Sequence, residues 1–424
     1  MHTGHGKLGG NGMRGILKGM RVVEGSAFVA VPLAGMTLAQ MGAEVIRFDR
    51  IGGGLDARRW PLAPSGQSLF WGGLNKGKKS IAVDMSRPEG QDLITRIVTA
   101  PGEDAGLFLT NLRVRGWMDY ETLKQHREDL IMVTLMGDRH GRPAVDYTVN
   151  PALGIPEMTG PEGWPEPVAH ALPAWDLVAG QLVVSSLLAA ERERLRRGRG
   201  QEVELSLKDV AAATIGHLGL IGDAVVNEAE RGKSGNALYG AYGQDFVCAC
   251  GRRVMVIGLT RRQWRGLVKA TDSAAAMAEL AARSGRDLND EGVRWELRHE
   301  ITAILRPWFA ARAVTDFAGD FDAAGLTWSV FRSVRQALAE DLDLSEDNPM
   351  FRLLDQPGLG RFPVPGHPAV FSGHDRQDPQ PAPVLGAHTE EILGDVLGLG
   401  DAEIAGLFDK GVVQGAGRAA RPAA

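Results

Sequence analysis

The chain has little of what secreted and zinc-binding proteins are usually built from. Only 2 of its 424 residues are cysteines, Cys248 and Cys250. Two thiols without a neighbouring pair of histidines do not make a zinc site, which usually takes four ligands. We expect both cysteines to be reduced thiols on one face of a strand, as is usual in a cytoplasmic protein.

Long apolar runs and an excess of positive charge are also missing. The longest apolar run, residues 182–190, contains two serines and is shorter than the roughly 20 residues of a bilayer span. Residues 1–13 contain no apolar segment typical of a secretory signal. The formal net charge of −5 argues against nucleic acid as the main partner. We therefore expect a cytoplasmic protein with neither a membrane nor a nucleic acid as partner.

Common catalytic and nucleotide-binding motifs are absent as well. The chain contains no G-x-S-x-G, no H-E-x-x-H and no phosphate-binding P-loop. Its first predicted turn, EGSAFVAVPLAG, has only Gly25 and Gly35, so it lacks the G-x-G-x-x-G that lets a backbone approach a pyrophosphate. The 10 histidines are scattered along the chain. These absences predict neither NAD nor a metal ion as cofactor.

What the chain does have is a regular alternation of strands and helices. Residues 20–24 and 43–48 are apolar runs typical of strands, and residues 33–42 between them form a helical pattern. Such a strand–helix–strand unit implies parallel strands, and the alternation continues through residues 79–136. The predicted fold is α/β, with a Rossmann-like open parallel sheet. Residues 145–175, rich in proline and glycine, are predicted to form a long ordered loop.

The composition changes near residue 225, where a glycine-rich turn region begins. This change predicts a second, smaller α+β domain. The expected organisation is a flexible extension at 1–12, the first part of a large α/β domain at 13–222, the small domain at 223–335, an extended return segment with C-terminal helices completing the large domain at 336–412, and a disordered tail at 413–424.

Asp176 is the acidic residue that the sequence singles out. It lies in LPAWDLVAGQ, at the predicted start of a long apolar helix whose next acid is Glu191. One interpretation is an N-cap, because an aspartate oxygen accepts hydrogen bonds from the first free N–H groups of a helix. The other is a nucleophile, because a partly buried carboxylate among apolar residues is costly unless it is used.

A set of basic residues falls at or beside the ends of predicted parallel strands. Ligands of open α/β sheets bind at such ends, and basic side chains there suit phosphate groups. The alternative is a set of solvated surface charges, which the spacing alone favours. The residues are Arg50, Lys76, Lys78, Lys79 and either Arg113 or Arg115.

Several motifs, in order along the chain, resemble the class III CoA-transferase family, which includes formyl-CoA transferase and α-methylacyl-CoA racemase. The resemblance covers nearly all of residues 15–412. It is carried by GMRVVEGS…GAEVIRFDR, LNKGKKSIAVDMSRPEGQDLI, LFLTNLR, LPAWDLVAGQ and PAPVLGAHTEEIL.

The resemblance implies roles for individual residues. Asp176 matches the catalytic aspartate, and a helix N-terminus would help to keep it ionised. The positions implied to bind CoA are Val29, Ala30, Arg50, Val83, Asp84, Met85, Ser86, Asn111, Leu112 and Arg113. The positions implied to contact the substrate are Val145, Asp146, Gly235 and Asn236, the last two in a mobile glycine loop whose N–H groups could hold oxyanions.

The resemblance also implies partners and an oligomeric state. The substrate is an acyl-CoA dicarboxylate, and no cofactor beyond its CoA moiety and no metal is expected. The two chains of the family's homodimer are interlocked like links.

The resemblance implies CoA transfer rather than racemisation, because Val145 stands where the racemase branch has a histidine base. Within the family, SLFWGGLNKGKKSIA and VDYTVNP are most similar to the branch that moves CoA between the carboxyl groups of mesaconate (2-methylfumarate). The expected reaction is conversion of mesaconyl-C1-CoA to mesaconyl-C4-CoA through an aspartyl anhydride and an aspartyl-CoA thioester. An intermolecular CoA-transferase between two acids, an acyl-CoA racemase and a non-catalytic CoA-binding protein remain the alternatives.

Overall fold

The structure is a computed structural model that describes residues 15–112 and 115–416. The expected extension at 1–12 and Arg113 lie outside the described residues. The chain forms two compact units, the first from residues up to 153, 171–222 and from 341 onwards, the second from residues 154–170 and 223–340. Residues 154–170, which the sequence pattern places in the large domain, belong to the second unit.

The structure contains strands and helices throughout both units. In chain order the strands are β1 (Arg21–Gly25), β2 (Glu44–Arg50), β3 (Lys79–Val83), β4 (Leu107–Thr110), β5 (Ile131–Met136), β6 (Gln201–Ser206), β7 (Tyr242–Val247), β8 (Arg253–Gly258), β9 (Thr327–Val330), β10 (Phe351–Gln356), β11 (Gly360–Pro365) and β12 (Val413–Gln414). The α-helices are α1 (Ala30–Gln40), α2 (Leu69–Leu74), α3 (Pro88–Val98), α4 (Tyr120–Lys124), α5 (Asp146–Ala152), α6 (Ile155–Met158), α7 (Ala174–Arg197), α8 (Leu207–His217), α9 (Leu220–Val226), α10 (Arg261–Ala270), α11 (Ala274–Ser284), α12 (Glu291–Glu296), α13 (Arg298–Ala310), α14 (Ala318–Ala323), α15 (Val334–Glu340), α16 (Thr389–Asp395) and α17 (Asp401–Asp409).

The first unit is built on a sheet of seven strands in the order β12-β3-β2-β1-β4-β5-β6. Strands β1 to β6 are parallel, whereas β12 pairs with β3 in the antiparallel direction. Strands β4 (LFLT) and β5 (IMVTLM) are apolar nearly throughout, as is typical of parallel strands covered on both faces, whereas β1 and β2 also carry buried charged residues. The predicted α/β class with a Rossmann-like sheet is confirmed.

The order of the strands creates a switch point between β1 and β4. The chain runs from β1 outward to β2 and β3, and then returns to the other side of β1 to form β4. The connections that follow these two strands therefore diverge, and they leave a crevice at the carboxyl ends of the strands. Open α/β sheets bind their ligands at such a crevice.

Three expectations about local structure are wrong. Residues 413 and 414, assigned to a disordered tail, form β12, because Val413 is buried and pairs with Val83. The predicted loop at 145–175 contains the two short helices α5 and α6. Cys248 and Cys250 lie in the turn after β7, where one thiol is buried and the other exposed, so they do not share a strand face.

The second unit has an antiparallel sheet of β7, β8 and β9 covered by helices. Its core is rich in aromatic rings. Phe246 stacks on Phe309 with ring centroids 4.3 Å apart, and Phe317 lies 4.8 Å from Phe321. This unit has its own hydrophobic core, distinct from that of the first unit.

Helix α7 is, at 24 residues, long and apolar enough to meet the length and composition expected of a membrane span. Its apolar face is used inside the first unit, where Ala179, Val183 and Leu187 are buried. At Gly180 the helix approaches α1 so closely that an added Cβ would lie 2.7 Å from the carbonyl oxygen of Ala30. These contacts are those of a core helix.

A cluster of charged side chains is buried between β1, β2 and α1. Arg47 is 1% exposed and donates to Asp49 at 2.9 and 3.1 Å, to Glu24 at 3.3 Å and to Asp56 at 3.2 Å. Lys78 is also fully buried, and its Nζ lies 2.8 Å from Glu24 Oε2. Each buried charge thus has a partner of opposite sign, which offsets the cost of removing it from water.

Gly35 of α1 leaves space for this cluster because it has no side chain. A Cβ at position 35 would overlap the Glu24 carboxylate. We expect Gly35→Ala to lower the free energy of unfolding, measured by urea denaturation, by about 3 kcal/mol or more, because it displaces one partner of a buried ion pair. Gly406→Ala in α17 is the control, since no atom lies within 4 Å of its added Cβ. Equal effects of the two substitutions would contradict the expectation.

Candidate active site

Asp176 lies in the first turn of α7 but does not cap it. The N-cap position is Pro173, and Asp176 is the third helical residue. The capping acceptor is Asp146, the first residue of α5, whose Oδ2 accepts from the N–H of Trp175 at 2.7 Å and of Asp176 at 3.4 Å. The N-cap interpretation of Asp176 is therefore wrong, because a different aspartate satisfies these N–H groups.

The carboxylate of Asp176 is left without a direct partner. It is half-buried, and within residues 15–112 and 115–416 neither of its oxygens has a hydrogen bond or ion pair. Burial, with a smaller contribution from the nearby charge of Asp146, raises the pKa of Asp176 to about 6, and Arg59 opposes this shift. The net shift of the pKa is upward, opposite to the effect of the helix N-terminus alone. The group is still mostly ionised at neutral pH, as a carboxylate nucleophile must be.

A cavity of about 410 Å³ opens beside Asp176 at the carboxyl ends of β1, β4 and β5. Phe28, Phe70 and Leu135 contribute to its apolar wall. Mostly apolar cavities with a few converging polar groups are typical ligand sites. The structure brings five predicted site residues together in this lining: Val29, Asn111, Val145, Asp146 and Asp176.

Asn111 joins the two loops that border the crevice. Its Oδ1 accepts from the N–H of Ala27 at 2.8 Å, and its Nδ2 donates to the carbonyl of Ala27 at 2.7 Å. Asn111 directly follows β4, whereas Ala27 follows β1, so this pair of hydrogen bonds spans the switch point of the sheet. The amide thereby fixes the edge of the cavity.

Phe28, the next residue, has a backbone conformation that is unusual for its type. Its φ of 67° lies in the left-handed region, which costs an ordinary residue about 1 kcal/mol or more. Its N–H donates to both oxygens of Asp56, at 2.9 and 3.0 Å, and Asp56 in turn is held by Arg47. The buried charge cluster therefore sets the position of a ring that lines the cavity.

The other positions expected to bind CoA lie outside this lining. Ala30 is the buried first residue of α1, and Leu112 follows Asn111. Arg50 ends β2 and donates to the carbonyl of Gly53 at 2.8 Å. Val83, Asp84, Met85 and Ser86 run from the end of β3 into the following turn, where Asp84 accepts from the Ser86 hydroxyl at 2.6 Å. These residues share the carboxyl edge of the sheet with the cavity, and their CoA-binding roles stay predictions.

Gly235 and Asn236 belong to the second unit. Gly235 has a φ of 60°, which suits a glycine, and its N–H donates to the carbonyl of Gly160 at 3.0 Å. That N–H is thus engaged in this structure rather than available to an oxyanion. The role of the glycine loop stays a prediction.

Three of the basic residues considered for phosphate binding lie at the other end of the sheet. Lys76, Lys78 and Lys79 precede or begin β3, so they lie at its amino end. Lys78 is paired with buried Glu24, and Lys79 contacts Glu44 at 2.6 Å. Arg115 is exposed. For the three lysines, the phosphate interpretation is wrong because they precede or begin β3 and so lie at its amino end, whereas ligands of open α/β sheets bind at the carboxyl ends.

Sequence reasoning missed Phe28, Arg59, Phe70 and Tyr147 as cavity residues. Arg59 lies in a turn with no regular periodicity, and although the segment RWP that it begins is part of the resemblance, the resemblance gives Arg59 no role. Searched over the described ranges, the chain has no group of three or more His, Cys, Asp or Glu side chains suited to a metal ion.

Comparison with known proteins agrees with this architecture. The 2-methylfumaryl-CoA isomerase of Chloroflexus aurantiacus is 56% identical over 96% of this chain and 100% of that protein. The human succinyl-CoA:glutarate CoA-transferase is 26% identical over 94% of this chain and 90% of its own length. A CAIB/BAIF family protein from Brucella suis shares the fold with a TM-score of 0.74 and 23% identity, over 91% of this chain and 100% of its own.

The family model for CoA-transferase family III matches residues 17–389. This match covers both units, including Asp176 and the cavity beside it. The predicted family is thus confirmed, and the chain is an enzyme of CoA-transferase family III.

Proposed function

We propose that the enzyme moves CoA within one dicarboxylic acid, converting mesaconyl-C1-CoA to mesaconyl-C4-CoA. The observation that carries the proposal is the carboxylate of Asp176, which is unpaired among the described residues and faces the cavity while Asp146 caps its helix. The choice of acid is supported by the 56% identity to a 2-methylfumaryl-CoA isomerase along the whole of that protein.

The chemistry requires four steps at one carboxylate. An oxygen of Asp176 attacks the C1 thioester carbonyl and expels CoA thiolate, which leaves a mixed anhydride. The thiolate attacks the aspartyl carbonyl of this anhydride, so that mesaconate leaves as a free dicarboxylate and Asp176 becomes a CoA thioester. The C4 carboxylate then attacks that thioester and expels the thiolate again. Finally, the thiolate attacks the C4 carbonyl of the second anhydride, which releases the product and restores the Asp176 carboxylate.

No proton is gained or lost over the cycle, so the residues of the cavity need only bind, orient and exclude water. Val145 carries no titratable group at the position where a second base would face the substrate, which favours transfer over racemisation. The CoA moiety of the substrate is the only cofactor in this scheme. We further propose that the enzyme acts in the cytoplasm as an interlocked homodimer, as the family resemblance implies.

The reaction is tested by incubating the protein with mesaconyl-C1-CoA and no added acid. We expect the C4 isomer to appear on chromatography, because donor and acceptor are the two ends of one molecule. Isotope-labelled free mesaconate added to the same assay should not enter the product. Transfer that depends on an added acid would instead establish an intermolecular CoA-transferase.

The nucleophile is tested by Asp176→Asn. We expect turnover to fall by on the order of 10⁴-fold or more, while CoA binding, measured by calorimetry, is retained. Asp209→Asn is the matched control, because Asp209 is also the third residue of its helix, α8, but lies outside the cavity. Near-normal turnover of the Asp176 variant, with deamidation back to aspartate excluded by mass spectrometry, contradicts the assignment.

The pH dependence follows from the raised pKa of Asp176, which is about 6. Only the ionised carboxylate attacks, so kcat/KM should be constant above this pKa and fall about tenfold per pH unit below it. Asp146→Asn removes a nearby negative charge but keeps an oxygen to cap α7. We expect this variant to shift the acidic limb of the profile to lower pH. An unshifted limb would show that Asp146 does not act on the charge of Asp176.

A further inference from the structure

Arg59 stands out among the residues that line the cavity. Of the lining residues in the described parts of the chain, it alone carries a positive charge, whereas Asp146 and Asp176 carry negative charges. Its charge acts on Asp176, whose pKa it lowers. A cation therefore faces the same space as the nucleophile, and the reaction steps above give it no task.

The guanidinium group of Arg59 is held by aromatic faces rather than by acids. Its Cζ lies 5.0 Å from the ring centroid of Phe70 and 5.8 Å from that of Phe28. Rings at these distances stabilise the cation and restrict its position, but they do not use its N–H groups. Across the described ranges, no carboxylate pairs with Arg59 and no acceptor takes a hydrogen bond from its side chain. Its planar set of donors is thus available to an anion.

The position of the Phe28 ring is set by the hydrogen bonds of its backbone. The two hydrogen bonds from its N–H to Asp56 hold it in the left-handed conformation, and Asp56 is fixed by buried Arg47. One side of the Arg59 site is therefore linked to the buried charge cluster around Arg47. Arg59 is exposed, but unlike an isolated surface arginine it contacts a ring whose position is fixed in this way.

We propose that Arg59 binds the carboxylate group of the substrate that is not being attacked by Asp176. This inference rests on the proposed function, in which the substrate always has one reacting and one free carboxyl group. A planar guanidinium matches a carboxylate through two parallel hydrogen bonds. Arg59 is thereby the residue that selects a dicarboxylic acyl group over a neutral one.

The proposal also explains how one site serves both halves of the reaction. In the first half the C4 carboxylate lies on Arg59 while C1 reacts at Asp176. After the acid has turned over, the C1 carboxylate takes the place on Arg59 while C4 reacts. The free acid is held by the same ion pair in both orientations, so its loss to solvent between the halves is slowed.

The test compares two ligands that differ only in the group that Arg59 would bind. Mesaconyl-C1-CoA carries the free carboxylate, and tiglyl-CoA, (E)-2-methylbut-2-enoyl-CoA, has a methyl group in its place. Both are titrated by calorimetry into the full chain carrying Asp176→Asn, so that no turnover occurs. In this Asp176→Asn background, the further substitution Arg59→Gln should weaken mesaconyl-C1-CoA binding by roughly 10- to 100-fold, because a charge-assisted hydrogen-bonded pair is lost. Tiglyl-CoA binding should change by less than about threefold.

Arg58→Gln in the same background is the matched control, because Arg58 is exposed like Arg59 but lies outside the cavity lining, and it should leave both affinities unchanged. Arg59→Lys should fall between the wild type and Arg59→Gln, since it keeps the charge but loses the planar pair of donors. If Arg59→Gln does not fold, Arg59→Lys alone must still discriminate between the two ligands. Equal weakening of both ligands, or no weakening of either, overturns the proposal.

Turnover of mesaconyl-C1-CoA by the unsubstituted enzyme is measured in parallel. The Arg59→Gln substitution could weaken only the binding of mesaconyl-C1-CoA while the unsubstituted enzyme does not isomerise this compound. That result would contradict the proposed function but support the role of Arg59. Isomerisation without ligand selectivity at Arg59 would support the proposed function and overturn this inference.

Discussion

The guanidinium of Arg47 is the group on which the architecture of the site depends. Besides its three carboxylate partners, it donates to the carbonyl of Ser26 at 3.0 Å and to the side chain of Asn75 at 3.1 Å. These contacts connect the ends of β1 and β2, the turn at Asp56 and the end of α2. Breaking such a buried pair by removing one partner typically costs about 3–5 kcal/mol. The loop after β1 is therefore fixed before any ligand arrives.

The same cluster engages the acid that a dinucleotide-binding sheet of this order would use to hold a ribose. In dinucleotide-binding proteins an acid at the end of the second strand binds the ribose. Here Asp49 occupies that place, but it is buried and bonded twice to Arg47. The carboxylate is thus used to hold the sheet edge together, and the ligand crevice is left to the loops after β1, β4 and β5.

The sequence pattern predicts much of the fold because strands buried on both faces are largely apolar and their linking helices are regular. It also singles out Asp176, since an acid in an apolar helix start is conspicuous. The motifs also single out Asn111, Val145 and Asp146, which line the cavity beside Asp176, and their roles stay predictions. Arg59 and Phe28 escape prediction for a physical reason. Their positions depend on a left-handed backbone and on hydrogen bonds between residues 28 and 56, and the spacing of apolar residues in the sequence does not indicate either feature. The three lysines at the start of β3 are misplaced for a simpler reason: they precede or begin their strand, whereas the ligands of open α/β sheets bind at the carboxyl ends.

At position 28, where the backbone is left-handed, stability and activity favour different amino acids. Glycine would adopt a φ of 67° without strain, so a search for stabilising substitutions would favour it at this position. Glycine, however, has no ring, and would remove both a wall of the cavity and one of the two aromatic faces on which Arg59 rests. The backbone strain at Phe28 is thus tolerated because its ring lines the cavity and contacts Arg59. An engineered version of this enzyme made more heat-resistant by relieving it would gain stability at the expense of the selectivity of its acyl site.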